Sequence, residues 1–362
     1  MMNTPEMNIL YLIGSLGNGG KEQLVRDVME MGKELPYKAW CVCRKKPAEG
    51  PNTILLPSGK VIRFLHQLRK IVRSNNIDLI HAQSAFDALL ARLATVGLGT
   101  PVVETFHSYE FATNPRSKSM ERLAFSLCAR SVFVSQQQLE HFAAVHHLSP
   151  KQRKKQALVY NGVNFSRFPL TEHKPNHHLR MAMVGNFVPE KNQMFVLHFL
   201  EQLNTKGIDF EFLFIGEKKS QFATYYDRCV QYCKEKGLDD RVHFLGKRND
   251  VPQLLGQLDA FVYSSHSETF GLAVVEAIAV GVPVFVNDLP VFKEITQGGQ
   301  LATLYATGDL QQLSDKFEHF LHHQTETLAT AAENAYRVRN TYSIKTHVAN
   351  LNSLYSLIIT KQ

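Results

Sequence analysis

The densest group of reactive side chains lies in Ser264-Ser-His266-Ser-Glu268-Thr-Phe270-Gly271-Leu272-Ala-Val-Val-Glu276-Ala-Ile-Ala-Val-Gly281-Val-Pro283, where two carboxylates stand eight residues apart. An apolar strand over Asp259–Tyr263 leads into a serine-rich loop, and a helix is expected from about Leu272 to Val280. That helix is apolar on every side except at Glu276, the pattern of a buried helix. A carboxylate inside it needs partners, because an unpaired buried charge is costly. Paired hydroxyls, as on a ribose, would be suitable; so would a nearby backbone N–H or an arginine. Glu268 falls before the helix, in the loop, and is expected to point into a cleft.

Two glycine-bearing loops could hold an anion. Gly14-Ser-Leu-Gly17-Asn-Gly19-Gly20-Lys21-Glu22 follows a strand and opens a helix, so its backbone can approach a ligand closely and the helix start presents N–H groups. Its spacing is not that of the dinucleotide fingerprint, and a plain tight turn would read the same way. Gly185-Asn186-Phe-Val-Pro189-Glu190-Lys191-Asn192 follows the next candidate strand, Arg180–Val184, and puts Lys191 near a helix start, where a cation can neutralise a diphosphate. His107 directly follows the apolar run Pro101–Phe106, and either a functional or a structural role suits it. The doublets His146-His147, His177-His178 and His322-His323 read as surface residues at helix ends or in loops.

These residues need elements to carry them. Short apolar runs alternate with helical patterns along the whole chain: Asn8–Ile13, Ala39–Cys43, Asp78–His81, Pro101–Phe106, Ser131–Ser135 and Ala157–Tyr160, then Arg180–Val184, Phe210–Ile215, Arg241–Leu245, Asp259–Tyr263, Val282–Val286 and Leu301–Leu304. Continuous apolar strands between helices predict buried parallel sheets. The pattern pauses over Asn161–His178, rich in Pro and His, which reads as a linker. Two α/β domains are expected, 1–165 and 166–343, with a closing helix over 344–362 packing back on the first. Ligands of open parallel sheets bind beyond the carboxyl ends of the strands, and most of the residues named above fall there.

Composition narrows the class. The 362 residues are 44% hydrophobic and 20% charged, which is globular and large enough for two cores. The net charge of +7 is concentrated in the first half, as in Arg44-Lys45-Lys46, and suits solubility or an anionic membrane surface. Five cysteines without a Cys-x-x-Cys pair point to reduced thiols in a cytoplasmic protein. The opening apolar run is too short for a signal peptide, and no run is long and clean enough to cross a bilayer, so any membrane contact is expected to be peripheral, at the inner face. Lys60–Arg73 has one basic and one apolar face, which fits an interfacial helix or one that covers a sheet. Asp-x-Asp, His-Glu-x-x-His, Gly-x-Ser-x-Gly and Walker sequences are absent, so metal-dependent sugar transfer, metalloproteolysis, serine hydrolysis and P-loop chemistry lose their usual marks. The basic segments lack interleaved aromatics, which argues against nucleic acid.

From residue 8 to about 345 the chain resembles glycosyltransferase family four, the retaining group 1 glycosyl transferases of the GT-B fold. Gly19-Gly20-Lys21-Glu22, Asp78-Leu-Ile-His81, Val134-Ser135, the Tyr160-to-Phe168 hinge, Gly185 with Glu190-Lys191-Asn192, and the Glu268/Glu276 pair occur in the family's order. The resemblance implies an α/β protein of two facing Rossmann-like domains with an interdomain cleft. It implies a retaining glycosyltransferase that moves a sugar from a nucleotide diphosphate sugar, in the first instance a UDP-sugar, to a hydroxyl of a glycan or lipid-linked acceptor in polysaccharide or lipopolysaccharide synthesis. No cofactor and no metal are implied. Glu276 would bind the ribose. Glu268, with the N–H groups of Phe270, Gly271 and Leu272, would hold sugar and phosphates. Lys191 would stabilise the leaving diphosphate, with Gly185, Asn186 and Arg248 beside the donor. His107 would meet the sugar, and Gly19 and Gly20 the donor phosphate or the acceptor.

The chain departs from the family at Asn186, where an Arg is usual, at Asn164 in place of the hinge Asp, and at Asn287-Asp-Leu-Pro290 in place of a glycine-rich turn. Losing a cation beside a diphosphate bears on catalysis, because neutralising leaving-group charge is a large part of it. Two other readings stand beside the transferase: a nucleotide-sugar epimerase of the same fold, and a degenerate, non-catalytic sugar-nucleotide binder.

Overall fold

The protein is described by a computed structural model for residues 7–17, 19–45, 52–57, 59–109 and 114–360; Asn18 and Lys46, which belong to the glycine loop and the basic run named above, lie outside the described residues. The chain forms two compact units, Met1–Val163 with Tyr342–Gln362, and Asn164–Thr341.

In the first unit the elements run β1 Asn8–Ser15, α1 Gly20–Met31, β2 Lys38–Lys45, β3 Thr53–Leu55, α2 Val61–Ser74, β4 Leu79–Ala82, α3 Ala85–Ala94, β5 Val102–Phe106, α4 Pro115–Leu127, β6 Arg130–Phe133, α5 Gln136–Val145, α6 Pro150–Arg153 and β7 Gln156–Leu158. The sheet is parallel throughout in the order β3-β2-β1-β4-β5-β6-β7 among the described residues. Helices bury Val25 and Val28 of α1 on one face and Phe64, Leu68 and Val72 of α2 on the other. The amphipathic Lys60–Arg73 segment is therefore a sheet-covering helix: its apolar stripe is spent on the core, and Arg69 donates to the carbonyls of Ala94 (3.0 Å) and Val96 (2.7 Å).

The second unit repeats the plan: β8 Leu179–Val184, α7 Gln193–Thr205, β9 Phe210–Ile215, α8 Ala223–Glu235, β10 Val242–Gly246, α9 Val251–Leu255, β11 Ala260–Tyr263, α10 Leu272–Ala279, β12 Val284–Asn287, α11 Pro290–Ile295, β13 Thr303–Tyr305, α12 Leu310–His322 and α13 Gln324–Thr341, with parallel strands ordered β10-β9-β8-β11-β12-β13 among the described residues. The last helix, α14 Ile344–Ile359, returns to the first unit. Its Ile344, Val348, Leu351 and Tyr355 are buried with Ile9, Tyr11 and Leu79. A buried chain of hydroxyls and a ring fixes it there: Tyr37 to Tyr11 (2.7 Å), Tyr11 to Tyr355 (3.3 Å), Tyr355 to His81 Nδ1 (2.5 Å) and His81 Nε2 to Thr105 (2.7 Å).

Three sequence expectations need correction. Ser135 is not strand: β6 stops at Phe133, and the Ser135 hydroxyl caps α5 by accepting from the Gln138 N–H. His146 is buried, its ring 4.3 Å from that of Phe142, because a residue just past a helix end can still fold back on the core; burial lowers its pKa to about 4. The 161–178 segment is only partly a linker. Phe165 and Phe168 are buried, Val163 bridges Ser343, and Arg339 donates to the carbonyls of Phe168 (2.8 Å) and Ala279 (2.7 Å), so its first half is anchored.

Candidate active site

In the second unit the loops after β8 and β11 meet. β8 and β11 are neighbours in the sheet, so their carboxyl ends open side by side. After β8 the chain turns at Gly185, passes through a 3-10 turn at Pro189–Lys191, and enters α7 through Asn192, whose φ of 48° is left-handed. Asn suits that conformation better than most side chains. β11 ends on Tyr263.

Lys191, Tyr263 and Glu268 converge there. The ammonium of Lys191 pairs with Glu268 Oε1 and donates to the Tyr263 hydroxyl at 2.9 Å, and that hydroxyl donates to the same carboxylate oxygen at 2.6 Å. Burial pushes Lys191 down, but the neighbouring Tyr263 and Glu268 more than reverse it, so its pKa is raised and it stays charged. Burial and the Glu268 charge raise Tyr263, which stays a neutral donor. A Cβ on Gly185 would lie 3.7 Å from Lys191 Cδ and 3.9 Å from the Tyr263 hydroxyl, so the loop backbone runs beside the group.

Backbone ties keep these loops in register. Glu190 O accepts from His266 N (2.7 Å) and Ser265 Oγ (2.8 Å). Asn287, at the end of β12 and fully buried, accepts from Ser265 N (3.0 Å) and donates to Ser265 O (2.8 Å) and to Thr307 Oγ1 (2.9 Å). Asn287 thus clamps the loop that carries Glu268.

Gly271 begins α10 with φ of 95°, and a Cβ there would meet the Phe292 ring at 2.6 Å, so no larger residue fits. Phe270 is buried beneath the turn. The α10 helix is not closed on all sides as its composition implies. Leu272, Ala273 and Glu276 are only half buried, and their spacing puts them on one face, so the Glu276 carboxylate sits on the open side of an otherwise buried helix. The first turn of α10 adds N–H groups outside the helical ladder.

Asn186 uses its side-chain oxygen to accept from Glu217 N at 3.1 Å, joining the loops after β8 and β9. These loops touch: a Cβ on Gly216 would lie 1.9 Å from Gly185 O. Arg248 is exposed, and Asp250 holds it through Nε (2.8 Å) and Nη2 (2.6 Å). No contact joins Arg248 to Lys191 or Glu268 among the described residues.

In the first unit, Gly19 precedes α1 and Gly20 is its first residue. The Glu22 carboxylate folds over Gly19, where an added Cβ would push it aside, and Arg26 braces the loop by donating to Leu16 O at 3.0 Å and to Gly17 O. His107 follows β5, half buried, with Nε2 3.0 Å from Gln83 Oε1. Burial first, then the Lys21 and His347 charges, lower its pKa to about 3, so it is a neutral imidazole. Sequence reasoning placed Lys191, Glu268 and Gly185 together, as found. It gave no role to Tyr263, Ser265 or Gly216 and marked Asn287 only as a departure from the family pattern; the close Gly216 contact had a visible signal, a glycine directly after an apolar strand. Among the described residues no group of His, Cys, Asp and Glu is arranged to hold a metal ion.

The family models described as "Glycosyltransferase Family 4" and "Glycosyl transferases group 1" match residues 19–167 and 170–338, which together span most of the chain. The chain belongs to glycosyltransferase family four. Among curated relatives, this family member is 25% identical over 249 residues to the Escherichia coli UDP-Gal:alpha-D-GlcNAc-diphosphoundecaprenol alpha-1,3-galactosyltransferase, covering 64% of this chain and 62% of that protein. It is 25% identical over 261 residues to the Bacillus anthracis N-acetyl-alpha-D-glucosaminyl L-malate synthase, covering 69% of this chain and 67% of that one. The crystal structure of Anabaena Alr3699/HepE in complex with UDP and glucose superposes with a TM-score of 0.80 at 20% identity, over 97% of this chain and 100% of the other. The fold is GT-B, with a seven- and a six-stranded parallel unit among the described residues.

Proposed function

We propose that this family member is a retaining glycosyltransferase that moves a sugar from a nucleoside diphosphate sugar, in the first instance a UDP-sugar, to a hydroxyl of a glycan or lipid-linked acceptor in surface polysaccharide synthesis. The observation that carries the reading is the Lys191–Tyr263–Glu268 group at adjoining strand ends, beside the Gly185 backbone and the start of α10. A relative named as a galactosyltransferase for UDP-Gal and alpha-D-GlcNAc-diphosphoundecaprenol, another named as an N-acetyl-alpha-D-glucosaminyl L-malate synthase, and a structural neighbour in complex with UDP and glucose support it.

Lys191 is charged and paired with a single carboxylate, so it can turn from Glu268 to a leaving diphosphate with little reorganisation, the property on which electrostatic catalysis rests. Glu268, released from Lys191, keeps the Tyr263 donor and can accept sugar hydroxyls. Glu276, on the open face of α10, is assigned to the ribose. His107, neutral at working pH, can exchange hydrogen bonds with a sugar without adding charge. No side chain is assigned as a nucleophile; the departing diphosphate takes the acceptor's proton, and positioning does the rest. The reaction is proposed to run without metal. Peripheral membrane contact is proposed through the first unit, where exposed Ile62, Leu93 and Val96 lie among exposed Arg63, Lys70 and Arg73; no helix among the described residues is long and apolar enough to cross a membrane.

The test is a thermal-shift and turnover screen against nucleotide sugars, without metal and then with it. A donor that stabilises the wild type, slowly releases nucleoside diphosphate without metal, and fails to bind Glu276→Ala supports the reading. Full activity in Glu276→Ala would refute the ribose assignment.

A further inference from the structure

Arg44 has no part in the site described above, yet it is placed as a receptor. It lies next to the last residue of β2, and its partner across the sheet is Gly14, since Ile13 pairs with Cys43 and Ser15 with Lys45. The guanidinium crosses over Gly14, where an added Cβ would come within 3.2 Å of Nη2. On the far side Asp87, in the first turn of α3, takes Nε at 2.6 Å. Asp87 is itself buried and fixed by the Ser84 hydroxyl at 2.6 Å. The Phe86 ring packs 4.9 Å from the guanidinium carbon. The side chain is thus held at its Nε edge and on one face, while neither Nη group has a partner among the described residues.

The place matters as much as the posture. The strand order β3-β2-β1-β4 reverses direction between β1 and β4, and Arg44 spans that point, from β2 across β1 to the helix that follows β4. Ligands of such sheets gather at this reversal, beyond the carboxyl ends of the strands. A guanidinium locked by a buried carboxylate, with two N–H₂ groups presented side by side, matches the two oxygens of a phosphate or carboxylate.

We infer that Arg44, oriented by Asp87 and given room by Gly14, binds an oxyanion carried by the acceptor, so that the acceptor is a phosphate- or carboxylate-bearing molecule. This rests on the transferase reading, and the experiment separates the two. With UDP saturating, inorganic phosphate is titrated and its ³¹P line broadening followed in the wild type, Arg44→Gln, Gly14→Ala and, as a neighbouring-cation control, Lys45→Gln. Failure of UDP and of every other nucleoside diphosphate to bind the wild type would refute the transferase reading, and where another nucleoside diphosphate binds in place of UDP it is used instead. With UDP bound, phosphate should broaden in the wild type and in Lys45→Gln. Its affinity should fall by about tenfold or more in Arg44→Gln, the loss of one bidentate contact. It should also fall in Gly14→Ala, which displaces the guanidinium without removing it and so tests the idea even where Arg44→Gln fails to fold. Equal phosphate binding in wild type, Arg44→Gln and Gly14→Ala overturns the inference, as does no phosphate binding once UDP is present. Competition then names the source: displacement by glucose 1-phosphate supports a soluble sugar phosphate, displacement by malate a soluble carboxylate, displacement only by phosphatidate-containing vesicles a lipid phosphate, and displacement by none of the three overturns it.

Discussion

Replacing Tyr263 by Phe tests the heart of the candidate site. The change keeps the ring, which is stacked on Phe261 and edge-on to Phe292, and removes one oxygen. Two hydrogen bonds go with it, one from Lys191 at 2.9 Å and one to Glu268 at 2.6 Å, both involving a charged partner and both largely shielded from water. Hydrogen bonds to charged groups contribute about 1.5–3 kcal/mol each. Lys191 and Glu268 still satisfy each other in the variant, so we expect less than the combined range of about 3–6 kcal/mol, about 2–4 kcal/mol. For a unit the size of Asn164–Thr341 that is a fall in Tm of roughly 5–10 °C. Donor binding should weaken as well. When Lys191 turns to a diphosphate, Tyr263 is the donor that remains on Glu268, and without it the carboxylate is left poorly satisfied. UDP-sugar affinity should drop by about tenfold, one hydrogen bond's worth. Differential scanning calorimetry with and without UDP, followed by titration calorimetry, measures both. A variant with wild-type Tm and wild-type UDP affinity would mean that the hydroxyl does not bridge the pair, and the mechanism assigned to Lys191 would fall with it.

Lys191→Met should abolish transfer while leaving the fold intact, because Tyr263 can still donate to Glu268; turnover assays paired with a melting curve check this. Unit-one stability should fall as pH drops from about 6.5, since burial lowers His81 and His107 to about 3 and His347 to about 4. In the unfolded chain these rings take up protons first, so each costs up to about 1.4 kcal/mol per pH unit in that window, and urea titrations at successive pH values should show it. Glu104 behaves in the opposite sense: burial raises its pKa to about 8, with Ser131 donating to it at 2.7 Å, so the stability it lends as a neutral acid is lost as pH rises from about 4.5 to 8. Glu104→Gln should flatten that part of the profile. Asn287→Ala leaves the buried Ser265 N–H and C=O without partners and should cost about 2–4 kcal/mol, together with a loss of donor affinity that a distant core change would not cause.

The strands were legible because parallel strands are buried on both faces and read as unbroken apolar runs; residues such as Leu10, Ile80 and Phe212 need no partner pattern to be recognised as core, whereas β3, a short strand on a half-exposed edge, carries no such run. Lys191 and Glu268 were legible because both fall in loops that follow strands, where ligands of parallel sheets gather, and because the family resemblance singles out those positions. Tyr263 was not, since inside Ala260–Tyr263 it reads as one more core aromatic, and only the fold shows that its hydroxyl emerges where the strand stops. The openness of Glu276 was hidden for a related reason: composition gives how apolar a helix is, not which face its neighbours leave uncovered. Arg44 merged into a basic run, and its pairing with Asp87 spans 43 residues, beyond any local pattern.

Two of the three departures from the family pattern acquire local reasons once the loops are in place. Asn186 accepts a backbone N–H from Glu217 where the β8 and β9 loops touch, and an arginine, which has no acceptor, could not make that bond. Asn287 supplies from one buried side chain three bonds that fix the Glu268 loop. Arg248, one cation that could replace the charge missing at position 186, is paired with Asp250. Under the proposed donor role, diphosphate binding would draw on the Lys191 ammonium and on backbone N–H groups, with Asn287 and Ser265 holding the loop that carries Glu268 in place. Reverting Asn186 to Arg should then add a charge and loosen the loop that must aim it, so the variant is expected to gain little affinity for UDP and to melt earlier than the wild type.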